Sequence, residues 1–211
     1  MRARNRFGAW VGVPAAWTVA FGALVWSAGC ESTPKRDTAQ EAADQMVLNR
    51  QEGLRLAKEA QRLAVRGDKD DAIQTYQRAV STWREMPAAW NNMGVLLMEK
   101  QDYAGAVGAF KVAAELSPTD PRPLENVAVS YVKSGWATDA LRYYGMALER
   151  DPNRIESLRG AVRTAEMVRI RDDATLDRIR RALLIESDAS YREYFERQQQ
   201  LVSAALAGKM P

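Results

Sequence analysis

The sequence predicts an all-α protein, a stack of helix-turn-helix pairs closed by one further helix at its C-terminus. Two observations carry this. Apolar and small residues fall at helical spacing in paired stretches separated by short polar turns. The stretches also recur at one fixed interval. Ala72, Ala106, Ala140 and Ala174 are each 34 residues apart, as are Tyr76, Phe110 and Tyr144, and Ala79, Ala113 and Ala147. On the first helix of each pair, Leu56, Trp90, Leu124 and Leu158 keep the same step, and Pro118 and Pro152 repeat it after the second. Several series in one phase mark a repeated supersecondary unit.

The unit is clearest between Trp90 and Pro118. Trp90, Met93, Gly94 and Leu97 share one face of a first helix, and Ala106, Phe110 and Ala113 share one face of a second. Gly94 and Ala106 let two backbones approach closely, while Trp90 and Phe110 fill the space beside that contact. Gln101 and Asp102 mark the turn, and Pro118 stops the second helix.

This order of residues resembles the tetratricopeptide repeat (TPR), which places Trp, Leu-Gly, Tyr, Ala, Phe and Pro over 34 residues. The resemblance covers roughly residues 53–186: repeats near 53–86, 87–120 and 121–154, and a degenerate fourth near 155–186. It implies a right-handed superhelical stack, an α-solenoid that binds proteins. Residues 38–52 are expected to form a leading helix and residues 187–211 a capping helix.

From the N-terminus, Arg2, Arg4 and Arg6 precede an uncharged run from Phe7 to Gly29, and small residues lead to Cys30. This is the pattern of a secretory signal over residues 1–29. Cys30 is the one cysteine of 211 residues and has no disulfide partner within the chain. Its placement resembles a bacterial lipobox, which implies lipidation of Cys30; Ser27 departs from the Leu usual there, and the lack of Asp at Glu31 leans toward the outer membrane. The alternative is an uncut signal anchor, since about 20 apolar residues can span a bilayer. Either reading exports the body of the chain to the cell envelope. Residues 30–37 form a short polar tether. Without residues 1–29 the charge is 27 basic against 27 acidic residues, so no nucleic-acid footprint is expected.

Thr38 with Glu41, and Ser190 with Glu193, have the spacing of capping boxes. Gly53 weakens the expectation of one unbroken first helix. Arg66-Gly67-Asp68 and Ser134-Gly135-Trp136 read as turns, with Gly135 suited to the left-handed conformation that ends a helix. In the fourth repeat Arg178 stands where an aromatic is expected and Arg181 where alanine is expected, which reads as a wet terminal repeat. Tyr191, Tyr194, Phe195, Leu201, Val202 and Ala205 form an amphipathic stripe that would cover the end of the stack.

Stacked first helices line a concave groove suited to an extended peptide or a helix. Phase assigns Asn91, Val95 and Met98 to it in repeat two, Arg122, Asn126, Val129 and Lys133 in repeat three, and Arg159 and Arg163 in repeat four. Asparagine offers donor and acceptor together to a partner's backbone. The arginines and Lys133 favour an acidic segment or a C-terminal carboxylate. Ala57 and Gln61 stand where carboxylate-clamp repeats carry Lys and Asn, so that clamp is not expected. The layout is similar to envelope lipoproteins that help assemble pilus or secretion pores.

The chain has no histidine, which removes His-based triads and zinc sites. No glycine-rich phosphate loop is present. Asp68, Asp70 and Asp71 lack the Gly and Glu of a calcium loop. No metal, cofactor or enzymatic activity is expected. The function is read as a tethered scaffold that holds a protein or peptide partner; the alternative is a structural module that self-associates through the fourth repeat and C-terminal helix.

Overall fold

A computed structural model describes residues 38–208, and its regular structure there is entirely α-helical. The expected signal, Cys30 and the tether lie outside the described residues. Among the described residues nine helices follow one another: α1 (Thr38–Arg66), α2 (Lys69–Thr82), α3 (Pro87–Glu99), α4 (Tyr103–Leu116), α5 (Arg122–Lys133), α6 (Ala137–Arg150), α7 (Ile155–Met167), α8 (Asp173–Ile185) and α9 (Ala189–Leu206). Each packs on the next, and α1, α3, α5 and α7 also touch in succession. Sequence-adjacent hairpins therefore stack, and none buries its apolar face alone. Among the described residues no helix is long and apolar enough to cross a membrane.

The repeat positions are the core. Ala106, Phe110, Ala113, Ala140 and Ala147 are fully buried, and Tyr144 nearly so. A Cβ on Gly94 would lie 2.6 Å from the Phe110 ring, so the two helices meet at a distance only glycine permits. Trp90 is half-buried on the neighbouring cluster with Tyr76, Ala79 and Met93, and its indole N–H donates to the Arg84 carbonyl at 2.9 Å. Pro118 and Pro152 follow α4 and α6 and lie exposed in the connections.

Four local expectations change. Gly53 does not interrupt the first helix: α1 runs 29 residues through it, and the leading helix and the first repeat helix are one rod. Gly53 is buried because a Cβ there would meet the Trp83 Cβ at 2.6 Å. Thr38 is the first residue of α1 rather than its cap. The cap of α9 is Asp188, whose carboxylate accepts from the Ser190 and Tyr191 amides, so Ser190 and Glu193 form no capping box. Asp, one residue outside the helix, places its oxygens at the free N–H groups.

The fourth change is the largest. Ala174 is exposed and Arg178 and Arg181 are half-buried, while Thr175, Ile179 and Ala182 are buried. These lie 35 residues after Ala140, Tyr144 and Ala147. The connection from α7 to α8 is longer than its counterparts, and it moves the register of α8 by one position. The fourth repeat is therefore regular inside. Arg181 reaches out to Asp177 at 2.8 Å and to the Pro152 carbonyl.

The stripe expected on α9 is the packed one. Phe195 and Val202 are buried and Tyr191 and Tyr194 rest on the same cluster as Leu158, Ile179 and Ala182. Arg192, Glu193, Glu196, Arg197 and Gln200 face water. A polar outer face of this kind ends a stack.

Candidate protein-binding groove

The first helices α3 and α5 bring the predicted groove residues of repeats two and three together. Asn126 Nδ2 donates to Asn91 Oδ1 at 2.9 Å, bridging the two repeats. Ser130, one turn beyond Asn126, turns its hydroxyl to the Asn126 carbonyl and lies 3.7 Å from the Met98 sulfur. Val95 and Met98 are half-buried beside Phe110 and Val127, and Val129 packs toward the next cluster. They make an apolar floor rather than free contacts. Lys133 is exposed at the end of α5.

A cleft of roughly 370 Å³ opens beside the asparagine pair, between Pro87, Asn92, Arg122, Glu125 and Arg154. Its charges are internally matched. Arg122 pairs with Asp120 at 2.8 Å, and the pair holds the Asp120 carboxyl below its ordinary pKa. Arg154 Nε donates to Glu125 at 2.6 Å, and the Ser157 hydroxyl donates to the same carboxylate at 2.9 Å. Burial works against the Arg154 charge, but Glu125 more than offsets it and the guanidinium pKa is raised. The arginine side chain of Arg122 is 69% exposed and can leave Asp120 for a partner at little cost.

Glu125, Arg154 and Ser157 were not among the sequence-predicted residues. The signal for Glu125 was present: it lies 34 residues from both Asn91 and Arg159, so strict phase selects it. Asn126, expected in the groove, is one position along, and the stagger of adjacent helices brings it to Asn91 all the same.

Arg159 and Arg163 do not join this cleft. Arg159 Nε donates to Glu186 at 2.8 Å, and its guanidinium carbon sits 4.0 Å from the Tyr191 ring centroid. Arg163 donates to the Tyr191 hydroxyl at 2.8 Å. Tyr194 and Gln198 both donate to Glu166, at 2.8 and 2.7 Å. The two arginines expected in the groove of repeat four are tied to the C-terminal end of the stack, Arg159 to Glu186 at the α8–α9 joint and both to Tyr191 of α9. Sequence phase could not show this, because Tyr191 lies outside the repeats and Glu186 at their very end.

Residues 57–121 match the tetratricopeptide repeat family. Among curated proteins, the BBSome complex member BBS4 of Xenopus tropicalis is 32% identical over 79 residues, which is 37% of this chain and 15% of that protein. The chain spans only about 15% to 17% of the length of the curated relatives it matches. Among solved structures, a tetratricopeptide repeat protein from Parabacteroides merdae superposes with a TM-score of 0.64 at 15% identity, covering 75% of this chain and 63% of that one. The first TPR of Spaghetti, bound to the HSP90 peptide SRMEEVD, gives 0.53 at 18% identity, covering 56% and 94%. These likenesses establish the fold. Residues 57–121 thus carry the sequence pattern of tetratricopeptide repeats, and the superpositions show the same fold over as much as 75% of the chain.

Proposed function

We propose that the protein is a non-catalytic scaffold of the bacterial cell envelope. It is fastened at Cys30 by lipid and captures a protein partner through an extended, acidic segment laid across α3 and α5. The asparagine pair carries this reading. Asn91 and Asn126 use one donor and one acceptor on each other, and the amide N–H groups of Asn91 and the carbonyl oxygen of Asn126 remain to meet a peptide backbone. Arg122 and Lys133, both exposed, favour acidic side chains. The solved TPR of Spaghetti supports the choice of class, since it holds a peptide rich in acidic residues. The polar outer face of α9 speaks against self-association through the C-terminal end.

The test is binding of fluorescent acidic and neutral peptides of equal length by fluorescence anisotropy. Acidic peptides should bind more tightly, more weakly as salt rises, and Arg122→Glu with Lys133→Glu should reduce their affinity about tenfold while circular dichroism stays unchanged. Equal binding of both peptide classes, or an unaffected double variant, would remove the groove reading. The anchor is tested separately: Cys30→Ser should abolish incorporation of labelled fatty acid, and undiminished labelling defeats the lipid tether.

A further inference from the structure

α1 is twice as long as any other first helix, and its N-terminal half is uncovered. Met46, Val47, Leu48 and Leu54 are 51% to 58% exposed; Val47 and Leu54 share one face of the helix, with Met46 and Leu48 to either side of it. Buried residues of α1 begin only at Gly53. A helix half of this composition is not stable in water without a partner. The C-terminal end of the stack has its cap in α9, and the N-terminal end has this overhang.

The charge along α1 says what covers it. Residues 38–49 hold Glu41 and Asp44 and no basic residue, whereas residues 50–66 hold Arg50, Arg55, Lys58, Arg62 and Arg66 against Glu52 and Glu59. The helix is acidic in the half that is bare and basic in the half that is packed. A side-by-side antiparallel copy of the same helix would set each acidic half on a basic half. The spacing fits: Ala43, Val47, Arg50, Leu54, Ala57, Gln61 and Ala64 alternate in steps of four and three, the seam of two helices running together. A membrane surface fits less well, because anionic lipids attract basic helices and the bare half is acidic.

We propose that a second copy of this chain covers the Val47 and Leu54 face of the overhang. α1 pairs antiparallel with α1 of the partner copy, Val47 against Ala57, Arg50 against Leu54, and Asp44 beside Lys58 at both ends of a two-fold axis near residue 52. Arg50 lies along the seam on its aliphatic stem with its head in water. Each overhang then lies beside the packed half of α1 in the other copy, where Gln61 is exposed and Ala57 and Ala64 are only partly covered by their own core. Gln40, which donates to Asp44 at 2.9 Å on the surface, yields to the lysine. The contact is independent of whether the cleft between α3 and α5 takes a peptide.

The experiment is sedimentation of the full chain in detergent across a concentration series, read as protein mass. The wild type should pass from monomer to dimer. Val47→Asp should shift the midpoint by about tenfold or more toward monomer. Asp44→Lys and Lys58→Asp should each weaken the dimer about tenfold, and the two together should restore it to near the wild-type midpoint. A chain that stays monomeric at every concentration overturns the proposal, and so does a dimer indifferent to Val47→Asp. Failure of the paired reversal to rescue overturns the antiparallel register. A monomer that floats with liposomes of phosphatidylethanolamine and phosphatidylglycerol, and loses flotation on Val47→Asp, assigns the overhang to lipid and also overturns it.

Discussion

At the scale of single residues, glycine separates two kinds of position in this chain. Gly94 faces Phe110, and a Cβ at Gly94 would lie 2.6 to 2.9 Å from three ring atoms. The ring is fully buried and has nowhere to move. Gly94→Ala should therefore lower stability by about 1–3 kcal/mol through overpacking. Gly160 stands in the same relation to the Tyr144 ring and should behave alike. Gly108 is the contrast. It lies within α4, exposed, with nothing inside 4 Å of its missing Cβ. Gly108→Ala should raise stability by about 0.5–1 kcal/mol, by lowering the freedom of the unfolded chain. Urea melts of the three variants check this. A neutral Gly94→Ala would mean that the close approach of α3 and α4 is wrong.

At the scale of elements, the 34-residue step extends beyond side-chain type into backbone conformation. Gly67, Gln101, Gly135 and Arg169 are spaced by 34 and all have positive φ, at 91°, 64°, 80° and 57°. Each ends the first helix of its pair, where one left-handed residue turns the chain back. Gln101 and Arg169 hold this conformation against a side-chain penalty. Gln101→Gly should stabilise by about 0.5–1 kcal/mol, and Gly135→Ala should destabilise by a similar amount, both read from thermal melts. The sequence made the hairpins legible through Phe110, Tyr144 and their alanines, because burial demands the same volume at every repeat. It made both Gly135 and Gln101 legible as turns but the left-handed conformation only at Gly135, since the fold tolerates a strained residue at Gln101. The register of α8 was illegible for a different reason. Arg169 keeps the step and Thr175 has gained one residue, so the insertion lies between them, and a fixed period carries Arg178 and Arg181 into the core by mistake. Thr175, Ile179 and Ala182 appear once the extra residue is allowed for. That Asn91 and Asn126 sit side by side on adjacent first helices was legible from phase. The ties of Arg159 and Arg163 were illegible because Tyr191 belongs to α9, which obeys no repeat, and Glu186 to the joint before it.

At the scale of the whole array, stability is a sum over neighbouring units, so the end unit is the first to open. The C-terminal end is held by a group with a definite pH response. The Glu186 side chain is completely buried and accepts from Arg159 through both oxygens, at 2.5 and 2.8 Å. It also accepts the Asp188 amide at 2.9 Å, at the joint from which α9 starts. The Arg159 hydrogen bonds outweigh the burial that opposes them and hold the Glu186 pKa below 4.5. A carboxyl with a depressed folded pKa contributes its stability in full above the unfolded value and loses it as pH falls through the folded value. The α8–α9 joint should therefore loosen in acid, beginning below about pH 4.5, while the central repeats still hold. Glu186→Gln removes the titrating group: it should lower neutral-pH stability by about 1–3 kcal/mol and flatten the acid dependence of α9. Hydrogen exchange resolved by segment tests both halves, with amides of residues 189–206 losing protection in acid before those of residues 103–150 in the wild type and independently of pH in the variant. Simultaneous loss across all helices would show that the end is not an independent cooperative unit, and that the array opens as one body.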